Sequence, residues 1–158
     1  MSGELLLVAG LPGCGKTTRL NRMNQDGWLI FDDSKANARD NDPSFRNARS
    51  LDALLSALRN GSRCCVADID FCGTEARREA ETVLRQELPS LEVRWHFFAN
   101  DPAACEANVR DRNRESLQRE LALIAKYSQA YRIPQNAVVL PVSRNENRQL
   151  ATGSREPL

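Results

Sequence analysis

Lysine is scarce in this chain. Only Lys16, Lys35 and Lys126 are lysines, and the other nineteen basic residues are arginines. Against 21 acidic residues they leave a formal net charge of +1, which excludes a nucleic-acid-binding surface spread over the whole molecule but leaves room for a local basic patch. The arginine excess suits bidentate phosphate contacts, although genome composition produces the same bias. Histidine occurs once, as His96 between Trp95 and Phe97. A zinc constellation is therefore excluded, and His96 reads as a packed strand residue. The five cysteines are odd in number and form no C-x-x-C pair, which argues against a disulfide framework or a metal ribbon. Cys64 and Cys65 lie in an apolar run and read as small buried hydrophobes. No secretory leader is read and no apolar stretch approaches the roughly 20 residues of a membrane span. The expectation is a reduced, cytoplasmic protein with no membrane partner.

What remains is ordinary for a globular domain: 158 residues, 41% hydrophobic and 27% charged, enough for one domain with a real core. The informative segment is Gly10-Leu-Pro-Gly-Cys-Gly-Lys-Thr17, which fits G-x-x-x-x-G-K-[ST], the Walker A phosphate-binding P-loop. The apolar run Leu5–Ala9 before it reads as a buried parallel strand. The residues from Lys16 onward read as a helix. Gly10, Gly13 and Gly15 let backbone N–H groups approach phosphate oxygens. Cys14 fills the loop, and Thr18 follows in the first helical turn, whose positive dipole end favours an anion. Lys16 is placed to reach the β- and γ-phosphates and Thr17 to ligate Mg²⁺.

The remaining elements alternate strand and helix. Strands are expected at 4–9, 28–31, 63–67, 91–98 and 137–140. Helices are expected at 16–25, from Pro43 or Ser44 to about 60, from a Thr74 cap to about 87, from Asp101-Pro102 to about 111, and within 114–131. Residues 34–43 are polar and lid-like. This pattern predicts an α/β P-loop NTPase fold: a five-stranded, mostly parallel sheet with helices on both faces. Residues 1–142 form a single domain in this reading, with a lid segment at about 108–118, and 143–158 form a polar tail.

Ligands in such sheets sit at the strand C-termini, where Asp32, Asp33, Asp68 and Asp70 fall. Phosphoryl transfer needs a phosphate cradle, a metal, a group that orients the attacking oxygen, and cations for the developing charge. Asp32, or else Asp33, is the general-base candidate; of Asp68 and Asp70, one is a candidate to hold Mg²⁺ through water, Asp68 first, or instead to bind an arginine. Arg110 and Arg114 lie four apart and are expected on one helix face, with Arg112 pointing elsewhere. A cationic segment there is suited to closing over a nucleotide.

These segments together resemble the small P-loop kinases related to phage polynucleotide kinase and the zeta toxins, with their AAA-like ATP-binding domain. The similarity runs from about Leu5 to Leu140. By this resemblance Phe31-Asp32-Asp33-Ser34-Lys35 is the acceptor-side segment, with Asp32 as base, Asp33 beside it and Lys35 on substrate phosphate. Asp68, and Asp70 where the group usually carries Asn, would organise the acceptor site. Asn108-Val-Arg110-Asp-Arg112-Asn-Arg114 would be the lid, with Arg114 on phosphate and Arg110 near the nucleotide. The activity implied is ATP- or GTP-dependent, Mg²⁺-assisted phosphotransfer to a hydroxyl of a small molecule or a nucleic-acid 5′ end. Lys35, Arg39, Arg46 and Arg49 would supply a phosphate groove for the latter, but Asp40, Asp42 and Asp52 are interleaved and Phe45 is the chief aromatic nearby. The alternative is a nucleotide-binding switch that acts through a protein partner and has no acceptor.

Overall fold

A computed structural model of the chain describes residues 3–32 and 48–143. Five strands, β1 (Glu4–Ala9), β2 (Leu29–Asp32), β3 (Arg63–Ala67), β4 (Val93–Phe98) and β5 (Val138–Leu140), form one sheet in the order β2-β3-β1-β4-β5. Every pairing is parallel. The helices are α1 (Lys16–Gln25), α2 (Ala48–Arg59), α3 (Thr74–Glu87), α4 (Pro102–Arg112) and α5 (Leu117–Ala130), with a 3-10 turn at Ile69–Cys72. This is the α/β P-loop NTPase architecture the strand–helix alternation predicts.

The strand sequences explain their positions. Leu5 to Ala9 are buried without alternation, as a central parallel strand covered on both faces requires. β1 pairs with β3 through Leu5↔Cys64 and with β4 through Leu5↔Val93. Cys64 and Cys65 are fully buried in β3, as small hydrophobes. On β4, His96 turns to α1, where Arg19 Nη2 lies 3.0 Å from its Nδ1. Its neighbours Trp95 and Phe97 turn to α3, through a Trp95–Glu81 hydrogen bond and the Arg77 guanidinium over the Phe97 ring. Helices therefore cover both faces. The crossover from β1 runs one way to β2 and the later crossovers run back past β1 to β4, so the chain reverses direction beside the end of β1. The loop after β1 lies at that topological switch point.

Local signals set most boundaries. Asp101 caps α4, its carboxylate accepting from the Ala104 N–H at 3.2 Å, with Pro102 in the first turn. Gly61, at φ 84°, ends the turn after α2. Two expectations need correction. Gly73, not Thr74, is the N-cap residue of α3; the Thr74 hydroxyl instead accepts from Arg77 Nη2 at 3.2 Å. β4 begins at Val93, not 91, because Leu91 N–H closes a turn onto Leu88 C=O while its side chain enters the core. The expected start of α2 at 43 or 44 lies outside the described residues, as does the expected tail 143–158 apart from Ser143, whose N–H donates to the Cys14 carbonyl at 3.1 Å. Among the described residues no helix is long and apolar enough to cross a membrane.

All five cysteines are buried thiols. Burial pushes Cys64 up to about 11 and Cys65, Cys72 and Cys105 up to about 12, from 9.0; it also raises Cys14. Their protonated form is favoured by folding, so stability is full below pH 9.0 and is lost as pH rises from there toward 12. Urea midpoints should be flat from pH 7 to 8.5 and fall beyond about pH 9. An aromatic disulfide reagent at pH 8 should label the native chain slowly and all five thiols in urea.

Candidate active site

Strand, loop and helix build the P-loop in sequence order. β1 ends in the core, and the chain turns through Gly10–Gly15 into α1. Gly13 (φ 81°) and Gly15 (φ 104°) are left-handed, a region where a side chain is strained. Space excludes a side chain as well: a Cβ on Gly13 would sit 2.5 Å from the Cys105 carbonyl oxygen, and one on Gly10 would sit 2.6 Å from the Cys14 sulfur. Gly10 and Cys14 are therefore the packed underside of the loop and do not line the cleft. Gly15 is the N-cap of α1, which has no side-chain cap and no acidic residue in its first turn. The positive end of the α1 dipole is therefore not offset by a side chain of its own first turn, a setting that favours an anion.

Gly13, Gly15, Lys16, Thr17 and Thr18 open onto a cleft of about 760 Å³, within the usual size range of small-molecule sites. The Lys16 ammonium donates to the Gly10 carbonyl and so spans the loop it belongs to. Asp32 enters the same cleft from the end of β2 and is only 5% exposed. Its register partner on β3 is Ala67, so Asp68, the next residue, reaches the cleft beside it. Asp68 caps the 3-10 turn, with its Oδ1 accepting from the Asp70 N–H at 2.9 Å. Asp70 does not line the cleft. Its carboxylate accepts from the Tyr127 hydroxyl at 2.8 Å, and that bond pushes the phenol up to about 12. Tyr127 does line the cleft, held by this contact. Asp33 and Lys35 lie outside the described residues, as do the sites of Arg39 and Arg46 and the side chain of Arg49.

The arginines differ from the sequence expectation. Arg112 and Arg114 line the cleft and Arg110 does not. Four-residue spacing brings side chains together only within one helix. Here α4 ends at Arg112, and Asn113 takes the left-handed conformation at φ 46°, so Arg114 no longer follows the Arg110 face. The signal was present, since Asn is the usual non-glycine residue at such a helix end. Arg112 pairs with Glu120 of α5 at 3.3 Å. Arg112 Nε and Glu120 Oε2 are buried without a hydrogen-bond partner among the described residues, so the pair uses one contact where a fork would use two.

Sequence reading also missed Arg119, Leu123 and Tyr127, which line the cleft from α5. Their four-residue spacing puts them on one helix face, a pattern legible once α5 begins at Leu117. The cleft is electrostatically divided by element. Cations come from the P-loop and the α4–α5 corner, as Lys16, Arg112, Arg114 and Arg119. Carboxylates come from the ends of β2 and β3, as Asp32 and Asp68, and from Glu120 on the cationic side, where it pairs with Arg112. Among the described residues no three His, Cys, Asp or Glu side chains gather as a metal-binding group. The Thr17 hydroxyl and Asp68 carboxylate fit the sparser protein ligation of Mg²⁺, which keeps its waters and takes phosphate oxygens.

No family model matches the chain. An uncharacterized protein of Acanthamoeba polyphaga mimivirus is 26% identical over 133 residues, 84% of this chain and 89% of that protein. A fungal RNA kinase structure matches with a TM-score of 0.60 at 19% identity, over 93% of this chain and 78% of its own. The Deinococcus radiodurans tunicamycin resistance protein gives 0.59 at 16% identity, over 96% and 92%. A gluconokinase from Sinorhizobium meliloti gives 0.56 at 13% identity, over 93% and 86%. At these identities the likeness establishes the shared P-loop fold.

The loop geometry yields a test independent of any ligand. Gly13→Ala should cost about 1–3 kcal/mol, from the left-handed backbone and the clash with Cys105 together. Gly27→Ala, with φ 96° but only the Arg63 guanidinium at 3.0 Å, should cost about 1 kcal/mol. Urea unfolding of both variants measures the difference; equal losses would remove the close-approach argument.

Proposed function

We propose that this protein is a Mg²⁺- and ATP-dependent phosphotransferase that moves the γ-phosphoryl group to a hydroxyl of a small molecule or a nucleic-acid 5′ end. The observation that carries the reading is the position of Asp32. A buried carboxylate in the same cleft as an uncapped, glycine-built helix N-terminus is what an acceptor-activating base requires. A site that only bound or hydrolysed a nucleotide has less need of it.

In this proposal the amides of Gly13 and Gly15 and the first turn of α1 hold the phosphates, with Thr18 beside them. Lys16 leaves the Gly10 carbonyl to neutralise the β- and γ-oxygens. Thr17 and, through water, Asp68 would hold Mg²⁺, which would supply charge neutralisation at the phosphate oxygens. Asp32 accepts a hydrogen bond from the acceptor hydroxyl, orients its oxygen toward phosphorus and takes its proton as the new O–P bond forms and the bond from the γ-phosphorus to the β,γ-bridging oxygen breaks, releasing ADP. Asp33 and Lys35 are assigned to the acceptor by their adjacency in sequence. Asp68 shapes the acceptor end, and Asp70 acts on it through Tyr127. Arg114, with Arg112, meets the charge on the transferring group. Arg110 contributes to nucleotide binding only if the α4–α5 corner, residues 108–118, moves as a lid. Residues 1–142 make up this one domain. GTP in place of ATP fits the same cradle, since the phosphate contacts are backbone and Lys16. The names of the structural neighbours include an RNA kinase and a gluconokinase, so both acceptor classes belong in the test.

Transfer of label from γ-³²P-ATP with Mg²⁺ should be assayed against 5′-OH oligonucleotides, nucleosides and sugars. Label should appear on one class. Lys16→Ala should abolish it. Asp32→Asn should abolish transfer with ATP affinity nearly intact. Arg114→Ala should cost about 3 kcal/mol of transition-state stabilisation, roughly a hundredfold in kcat/KM. Slow ATP hydrolysis with no labelled acceptor, unchanged in Asp32→Asn, would replace this reading by a nucleotide-dependent switch.

A further inference from the structure

Asn108 is a polar side chain buried to 6% exposure in α4. Its amide Nδ2 donates to the Gly13 carbonyl at 2.8 Å and to the Ser143 carbonyl at 2.5 Å. Ser143 in turn donates its backbone N–H to the Cys14 carbonyl at 3.1 Å. The Ser143 side chain also lies where a Cβ on Gly15 would fall, 2.8 Å from its own Cβ. Three segments far apart in sequence, the P-loop, α4 and the residues after β5, therefore meet on one amide group.

The consequence follows from peptide geometry. In a trans peptide the C=O and N–H point to opposite sides, and this chain has no cis peptides among the described residues. Asn108 fixes the Gly13 carbonyl, which sets the peptide plane between Gly13 and Cys14. The Cys14 N–H then closes the turn onto Leu11 C=O at 3.2 Å. Ser143, itself held by Asn108, fixes the Cys14 carbonyl, which sets the next plane and directs the Gly15 N–H away from Ser143. Two successive planes of a glycine-rich loop, otherwise free to rotate, are thus pinned from outside.

We infer that Asn108 is a positioning residue that clamps the P-loop in its phosphate-accepting shape and ties that shape to α4, the helix that ends in Arg112. An Asn suits the task because both NH₂ protons find carbonyl acceptors in a buried place, where an unpaired acceptor is costly. The clamp stands on geometry alone; its consequence for nucleotide affinity rests on the phosphotransferase reading.

The test compares Asn108→Leu, close in volume and without donors, with Asn108→Ser, which keeps one shorter donor, and with Leu84→Ala, a buried α3 residue away from the cleft. Residue-resolved hydrogen exchange of the Cys14 and Ser143 amides is read first. Asn108→Leu should speed both at least tenfold with Leu5–Ala9 unchanged, and Asn108→Ser should be intermediate. Calorimetry with Mg-ATP should then show at least a tenfold weaker Kd for Asn108→Leu, whereas Leu84→Ala lowers Tm and leaves Kd alone. Unchanged exchange at Cys14 and Ser143 in both Asn108 variants overturns the clamp, as does an affinity loss that Leu84→Ala reproduces. A native chain that binds no nucleotide overturns the phosphotransferase reading instead, and the exchange rates alone then decide the clamp.

Discussion

The structure depends on one requirement: the glycine-rich backbone between Gly10 and Lys16 must turn toward the cleft while everything beneath it is close-packed. Buried N–H groups ordinarily find partners within the fold. Here the leading amides of α1 have no side-chain cap, and the loop carrying them rests on the most buried strand of the sheet. Leu5–Ala9 delivers the chain to the switch point. The cysteine thiol of Cys14 and the missing Cβ atoms of Gly10 and Gly13 then let the loop lie directly on Phe98, Cys105 and Val109. A larger residue at any of these positions would lift the loop from its support.

The division of charge follows from the topology. Parallel strands all end on one side of the sheet, so Asp32 and Asp68 from adjacent strands arrive together. The cationic side is built differently, from a corner between two helices that contacts the P-loop through Asn108. A carboxylate on a strand end is fixed by ladder register. An arginine on a helix corner is fixed only by its neighbours, as the single Arg112–Glu120 contact illustrates. Rigid acids facing more adjustable cations suit a reaction in which the acceptor must be aimed and the phosphoryl charge must be followed.

These two kinds of fixation explain what was legible in the sequence. The P-loop, all five strands and the ends of α1, α3 and α4 could be read to within a residue or two, because glycine, proline, capping residues and apolar runs act locally. Asp32 and Asp68 were found because strand ends are a place the fold defines. Arg112 was misassigned and Arg110 over-weighted because helical spacing was carried across Asn113, where the helix stops. Asn108 stood inside a segment already read as functional, yet its partners are Gly13 and Ser143, and no periodicity links positions so far apart. Tyr127 and Asp70 form a similar case: the hydroxyl and the carboxylate meet at 2.8 Å from 57 positions apart, and no local signal links them.

The scarcity of lysine gains meaning from the cleft. Of the cations there among the described residues, Lys16 alone is a lysine, and its ammonium rests on the loop's own Gly10 carbonyl. A compact ammonium on a flexible stem can turn from the Gly10 carbonyl to an anion within the same small space, as the proposed function requires, whereas a planar guanidinium needs room for its fork. At the α4–α5 corner the demand is reversed. Arg112, Arg114 and Arg119 approach from outside the loop, where a broad, always-charged donor surface is better than a point charge. Within the described cleft, lysine thus stands on the loop and arginine at the corner where charge is spread. A Lys16→Arg exchange would keep the charge and lose the fit, which separates the role of shape from that of charge at this position.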